Sequence, residues 1–472
     1  VTESTESMVR PALTADDIDQ AAVRIADVVL QTPLEFSDRL SVATGARVYF
    51  KREDLQKVRS YKLRGAYNLM LQLDDAERAI GVVAASAGNH AQGVAFACRR
   101  LGVRGRIYVP TTTPKQKRDR IAFHGGDFVE VISTGVTYDA AAQAAREDVE
   151  RTGATMVPPF DDARTAAGQG TIAAEILAQL GEAPGTVIVP VGGGGCLTGV
   201  ATYLRERSPS TSIIGVEPSG AASMTAALIA GGPVTLPDID PFVDGASVKR
   251  VGAVPYAMVS ALGARVVSHS ALPVQSAGRP EAGRISAAGR PEAGRISPAG
   301  RPEAGRIEPD GAFVVTQIDE GAICTAMLEL YQNEGIIAEP AGALSVAALG
   351  HIDASPGEVV VCLVSGGNND VSRYGEILER SLVHLGLKHY FLVDFPQKPG
   401  ALRGFLNDVL GPDDDITVFE YVKRNNRETG AALVGIELGS PRGLSALLER
   451  MDSAPVHVEH LEPGSPAYRY LT

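Results

Sequence analysis

Cysteine is scarce in this chain: four residues in 472, Cys98, Cys196, Cys324 and Cys362, scattered widely. They form no CxxC pair and no metal-finger spacing, which excludes a zinc finger. Long apolar runs are lacking too; none reaches the roughly 20 residues that span a bilayer. The stretch from Val1 to Ala12 has no apolar core, so no signal peptide is expected there. Positive charge is not in excess. The formal net charge is −12 and the pI about 5.3, which argues against a general nucleic-acid binder. These absences lead to the expectation of a cytoplasmic protein with reduced thiols and no membrane or nucleic-acid partner.

What is present suits a soluble globular chain. Hydrophobic residues make up 44% and charged residues 21%. The length suggests about three domains, and a core of that size needs no covalent staples. Residues 1–13 read as a disordered tail. Thr14-Ala15-Asp16-Asp17 then opens a helix with a cap and an acidic first turn. From residue 80 to residue 217 short valine-rich strands alternate with helices. That rhythm argues for an α/β fold, with parallel sheets covered by helices. In such sheets ligands sit at the loops leaving the strand C-termini.

Residues 277–308 have a different texture. Ala-Gly-Arg-Pro-Glu-Ala-Gly-Arg-Ile occurs three times with a period of 11 residues. Each unit carries one proline and two glycines, which break helices, and one apolar residue larger than alanine. A flexible surface insertion is expected. Beyond about Gly386 the order becomes strand, helix, strand, strand, helix, strand. That is the order of a ferredoxin-like α+β unit over residues 388–472.

Four loops after strands carry the candidate chemistry. The first is Arg59-Ser60-Tyr61-Lys62-Leu63-Arg64-Gly65. Ser60 stands where an N-cap would stand, with Lys62 in the first helical turn. The helix dipole there, with Arg59 and Arg64 nearby, disfavours a further positive charge, and a partly neutral lysine can form a Schiff base. Read alone, the stretch describes equally a solvated lysine at a helix start. The second loop is Ser86-Ala87-Gly88-Asn89-His90. Its N–H groups and the Ser86 hydroxyl suit a carboxylate, and Asn89 suits a cofactor oxygen; a plain helix cap fits as well. The third is Gly192-Gly193-Gly194-Gly195, before a helix that starts near Cys196. It suits a phosphate, or a tight turn. The fourth starts at Ser365, in Ser365-Gly366-Gly367-Asn368-Asn369. That hydroxyl could meet a ring nitrogen, or simply close a turn.

A lysine, an oxygen donor, a phosphate cup and a ring-nitrogen partner together make the set that pyridoxal phosphate requires. In order and spacing the four motifs resemble those of the fold-type II pyridoxal phosphate enzymes. Within these the chain resembles the biosynthetic threonine dehydratase (threonine ammonia-lyase) family. The resemblance covers about residues 14–275 and 313–472. It implies a two-domain, tryptophan synthase β-like catalytic region at 14–385, with a small domain at about 66–160 inserted in the large one.

The resemblance also implies roles. Lys62 carries the cofactor covalently and acts as the catalytic base. Asn89 meets the cofactor's phenolic oxygen, Gly192, Gly193, Gly194, Gly195 and Cys196 its phosphate, and Ser365 its ring nitrogen. Ser86, Ala87, Gly88, Asn89 and His90 hold the substrate carboxylate. The implied activity is conversion of L-threonine to 2-oxobutanoate and ammonia. The alternative is a serine-directed ammonia-lyase or racemase of the same fold, acting on L-serine. Glu339, in Ala-Glu-Pro-Ala-Gly-Ala, recurs near the cofactor in the family; a structural turn role is an equal reading. Glu217 resembles part of a cation site of related enzymes, but Ser223 stands where an aspartate is usual, so no metal is expected. The segment from Asp394 to Leu402 resembles the start of an ACT-like regulatory domain. That implies isoleucine as effector and a homodimer or homotetramer.

Overall fold

The computed structural model describes residues 13–267, 307, 311–421, 428–463, 465 and 467–468. The first twelve residues, and the repeats as far as residue 306, lie outside the described residues.

The largest sheet has seven strands. Their order is Leu34–Phe36, Arg47–Arg52, Val359–Val364, Thr186–Pro190, Ser212–Pro218, Phe313–Ile318 and Arg265–Val266. Every neighbouring pair is parallel except the first. Strand Val359–Val364, Val-Val-Val-Cys-Leu-Val, is buried along its whole length. A strand with helices on both faces has no reason to alternate polar and apolar residues. A second sheet has four parallel strands in the order Val129–Ser133, Gly105–Val109, Val82–Ala85 and Thr155–Met156.

The third sheet is antiparallel, ordered Asp415–Tyr421, Thr429–Glu437, Lys388–Pro396 and His457–Leu461. Helices Ala401–Asp408 and Leu444–Ser453 close one face of it. Phe405, Leu447 and Met451 pack there on Phe391, Val393, Val434 and Ile436. This is the ferredoxin-like unit expected from the sequence.

The helix that starts at Lys62, Lys62–Leu71, lies against Ala163–Leu180 and Asn89–Leu101. The first crossing is very close. A Cβ on Gly65 would stand 2.4 Å from the Gln169 side chain, and one on Gly168 2.5 Å from the Arg64 carbonyl oxygen. Facing glycines are what let these two backbones meet.

Two residues at the edges of the expected segments are buried. Leu13 packs with Ile18, Ala21 and Met258. Ile307, the apolar residue of the third repeat, is 3% exposed and sits in the main core. Its N–H donates to the His351 carbonyl at 3.1 Å, and its carbonyl accepts from the Asp353 N–H at 3.0 Å. One isoleucine per unit is too little for a core of its own, yet enough to dock on an existing one. Ile307→Ala should therefore cost about 2–4 kcal/mol by urea unfolding. Removing the first two repeats, 277–298, should leave turnover within about threefold, because none of the four candidate motifs lies in them.

Candidate active site

Lys62 is the first residue of its helix, as expected, but the cap is Tyr61, with no side-chain hydrogen bond. Ser60 does not cap. It forms a bridge with Gly366, and its hydroxyl is buried without a partner. The Tyr61 N–H donates to the Ser365 carbonyl at 3.2 Å, and the Gly367 N–H to the Arg59 carbonyl at 2.9 Å. The lysine loop is thus zipped to the Ser365 loop, about 300 residues on, and the pairing draws Ser60 away from the helix end.

Lys62 Nζ donates to the Pro159 carbonyl at 3.4 Å and lies 5.3 Å from the centre of the Tyr61 ring. Desolvation lowers the amine to about 8, against Cys196 and Glu339, which raise it. The neighbouring arginines are not the cause. Arg64 is held by Glu53 and Glu175, and Arg59 Nε reaches the Gly367 carbonyl at 3.3 Å.

The second loop leaves strand Val82–Ala85 and enters helix Asn89–Leu101, with Gly88 at its cap. Ser86 Oγ accepts from the Gly88 N–H at 3.2 Å. Asn89 Nδ2 donates to Glu339 Oε1 at 2.5 Å, and Asn89 Oδ1 accepts from Asn368 Nδ2 at 2.7 Å. The His90 ring is committed elsewhere: Nε2 meets the Val157 carbonyl at 2.8 Å. Desolvation, helped by Lys62, pushes that imidazole down to about 3, so it is neutral and Nε2 is the donor.

Strand Thr186–Pro190 leads to the glycines, and the helix after them is Gly195–Arg207. Its cap, Gly194, has φ +94°, a conformation natural to glycine. The first-turn N–H groups of that helix have no partners within it, which suits an anion. Cys196 lies in the same turn, and desolvation holds its thiol up near 12, so it stays protonated. Ser365 Oγ is buried and donates to the Ala341 carbonyl at 3.1 Å.

Glu339 binds Asn89 directly, the strongest reason to add it to the candidate site. Desolvation, then Asp244, lifts its carboxyl to about 7 from an ordinary 4.5. Glu217 is lifted to about 7 as well, by desolvation. Its carboxylate accepts from the N–H groups of Met224 at 2.6 Å and Thr225 at 2.8 Å, capping helix Ser223–Ala230. In the cofactor-free protein both groups bind more protons folded than unfolded between about pH 4.5 and 7, so their effect is to lower stability as pH rises through that window. Glu339→Gln should remove its share of that fall, up to about 3 kcal/mol. Urea unfolding at pH 5 and pH 8 checks this; an unchanged difference between the two pH values would rule it out.

These groups fit pyridoxal phosphate. They comprise an amine of lowered basicity, a helix N-terminus open to a dianion, an amide pair anchored on Glu339, and a neutral hydroxyl. Beside them a cavity of about 290 Å³ carries Arg59, Lys117, Arg120 and Asn368. This set on parallel sheets defines the chain as a pyridoxal-phosphate-dependent enzyme, and the family model "Pyridoxal-phosphate dependent enzyme" matches residues 25–279. A second model, the C-terminal regulatory domain of threonine dehydratase, matches residues 379–471.

The biosynthetic L-threonine dehydratase IlvA of Mycobacterium tuberculosis is 64% identical over 460 residues, covering 98% of this chain and 96% of the relative. That of Bacillus subtilis is 46% identical over 453 residues, covering 96% of each. The chain belongs to the biosynthetic threonine dehydratase family. Among solved structures, the processed form of threonine deaminase isoform 2 from Solanum lycopersicum matches with TM-score 0.64 and 36% identity. It covers 79% of this chain and 96% of that one. Maize serine racemase matches with TM-score 0.63 and 28% identity, covering 79% and 99%.

Proposed function

We propose that this chain converts L-threonine to 2-oxobutanoate and ammonia by β-elimination and deamination, the entry to isoleucine synthesis. The observation that carries the mechanism is the desolvated Lys62 amine, locked beside the Ser365 loop. The opening with Arg59, Lys117 and Arg120 draws in an amino acid by its carboxylate. The N–H groups of Ser86 to His90 then hold that carboxylate. Bound pyridoxal phosphate supplies an electron-withdrawing system that acidifies the substrate's α-carbon. Lys62 would hold the cofactor through Nζ, and the same amine would take the substrate's α-proton. Asn89, fixed by Glu339 and Asn368, orients the cofactor's phenolic oxygen. Gly192 to Gly195, with Cys196, receive the phosphate. Ser365, its hydroxyl turned from the Ala341 carbonyl, would offer the ring nitrogen a hydroxyl rather than an acid, which would favour loss of the β-hydroxyl over racemisation.

The catalytic region spans 14–385, with a small domain at about 66–160. The ACT-like unit at 388–472 takes isoleucine as feedback effector in a cytoplasmic homodimer or homotetramer. Turnover of threonine and of serine, with and without isoleucine, tests this reading. Threonine should be preferred and isoleucine should inhibit. A preference for serine above about tenfold, a difference of about 1.4 kcal/mol in transition-state binding, would overturn the substrate assignment.

A further inference from the structure

The short segment before helix Ala163–Leu180 contains none of the four motifs, yet it touches three separate parts of the site. The Pro159 carbonyl holds Lys62 Nζ. The Phe160 ring lies directly on Gly193: a Cβ built there would stand 2.2 Å from two ring carbons and 2.4 Å from a third. Real Cβ contacts are never that short, so the ring occupies the space a side chain would need. A Cβ on Gly195 would instead meet the main chain and Cβ of Phe160 at 3.0 Å. Asp161 Oδ1 accepts from the Val254 N–H at 2.8 Å, and the Gly252 N–H donates to the Gly193 carbonyl at 3.1 Å. A closed circuit results, from Phe160 to Gly193, across to Gly252, and back through Val254 to Asp161.

We propose that Phe160 is a positioning residue for the glycine loop. Its ring is the surface against which Gly193 is set, and Gly193 is a glycine in order to admit that ring. The proposal rests on the reading of Gly192 to Gly195 as the phosphate cup. It differs from the usual account of such loops, in which every glycine clears room for the phosphate itself. The two accounts predict opposite results for a paired substitution. If the phosphate needs the space, removing the Phe160 ring does nothing for a Gly193→Ala loop. If the ring needs it, removing the ring relieves the clash.

The experiment titrates cofactor-free protein with pyridoxal phosphate, following its absorbance, for Gly193→Ala, Phe160→Ala, the double variant and Gly195→Ala with and without Phe160→Ala. Gly193→Ala should weaken binding about tenfold or more, the scale expected of overpacking. The double variant should return to within about threefold of Phe160→Ala alone, a strong coupling between the two sites. Gly195→Ala should not be rescued, because alanine at 160 keeps the atoms it meets. A Gly193→Ala protein that binds like wild type, or a double variant as weak as Gly193→Ala, would overturn the proposal. If Gly193→Ala does not fold, soluble recovery becomes the readout: a double variant that folds supports the proposal, and one that does not overturns it. The cup is tested separately with unphosphorylated pyridoxal. If wild type binds pyridoxal as tightly as pyridoxal phosphate, the cup reading fails, whatever Phe160 does.

Discussion

Lys62→Ala should lower threonine turnover by at least about 10³-fold, within the range a positioned acid–base group contributes. It should also abolish the visible absorption band that the bound cofactor gives the wild-type protein. The two losses have one origin, because the same amine both carries the cofactor and accepts the α-proton. Lys62→Arg should fare no better, since guanidinium stays charged and cannot attack a carbonyl. The structure adds a pH signature. With the amine lowered to about 8, roughly a tenth of it is neutral at pH 7, against about three parts in ten thousand for an ordinary lysine. The rate at which cofactor-free protein captures pyridoxal phosphate should therefore climb with pH and level off above about 8. Rapid-mixing absorbance between pH 6.5 and 9.5 measures it. A rate that keeps climbing past pH 9.5 would mean that burial does not neutralise Lys62.

Much of this was legible because the relevant signals are local. Strand Val359–Val364 and helix Glu320–Glu334 follow from apolar runs and helical spacing alone. Shorter helices carry local signals too. Helix Asp38–Thr44 has Ser37 as a capping side chain and Gly45 at its left-handed end, and helix Asp75–Ile80 opens with an Asp74–Glu77 capping box. What could not be read from the sequence is long-range. Glu339 meets Asn89 across 250 residues. Ser60 gives up its capping position to pair with Gly366. Both depend on the order of strands in the sheet, which places the ends of Arg47–Arg52 and Val359–Val364 side by side. Phe160 carries no motif at all; only the space missing above Gly193 reveals it.

The second large effect lies beneath Lys62. Arg64 is fully buried and forks onto two carboxylates: Glu53 at 2.7 and 2.8 Å and Glu175 at 2.7 and 2.9 Å. Lys51, also fully buried, reaches Glu175 at 2.6 Å. Two cations thus face two carboxylates with no net charge. Removing one partner strands the others in a medium that cannot solvate them. Arg64→Met should cost about 3–5 kcal/mol by urea unfolding. Arg64→Lys should recover little of that, because an ammonium cannot satisfy both carboxylates in the plane of the fork.

Glu53 supplies a pH test. Burial is the largest influence and pushes its carboxyl up, but Arg64, Lys51 and the Thr32 hydroxyl together outweigh it and hold the group below the ordinary 4.5. Its contribution is therefore complete above 4.5 and is lost as pH falls through the depressed folded value. Glu53→Gln should flatten the acid limb of stability in that window. Replacing all four residues by apolar ones of similar volume separates stability from function, since buried ion pairs often add little net stability. If the quartet only holds the fold together, such a variant should be stable and bind cofactor normally. If it also fixes the helix that presents Lys62, as the two-residue distance from Arg64 argues, stability should recover while cofactor affinity stays low.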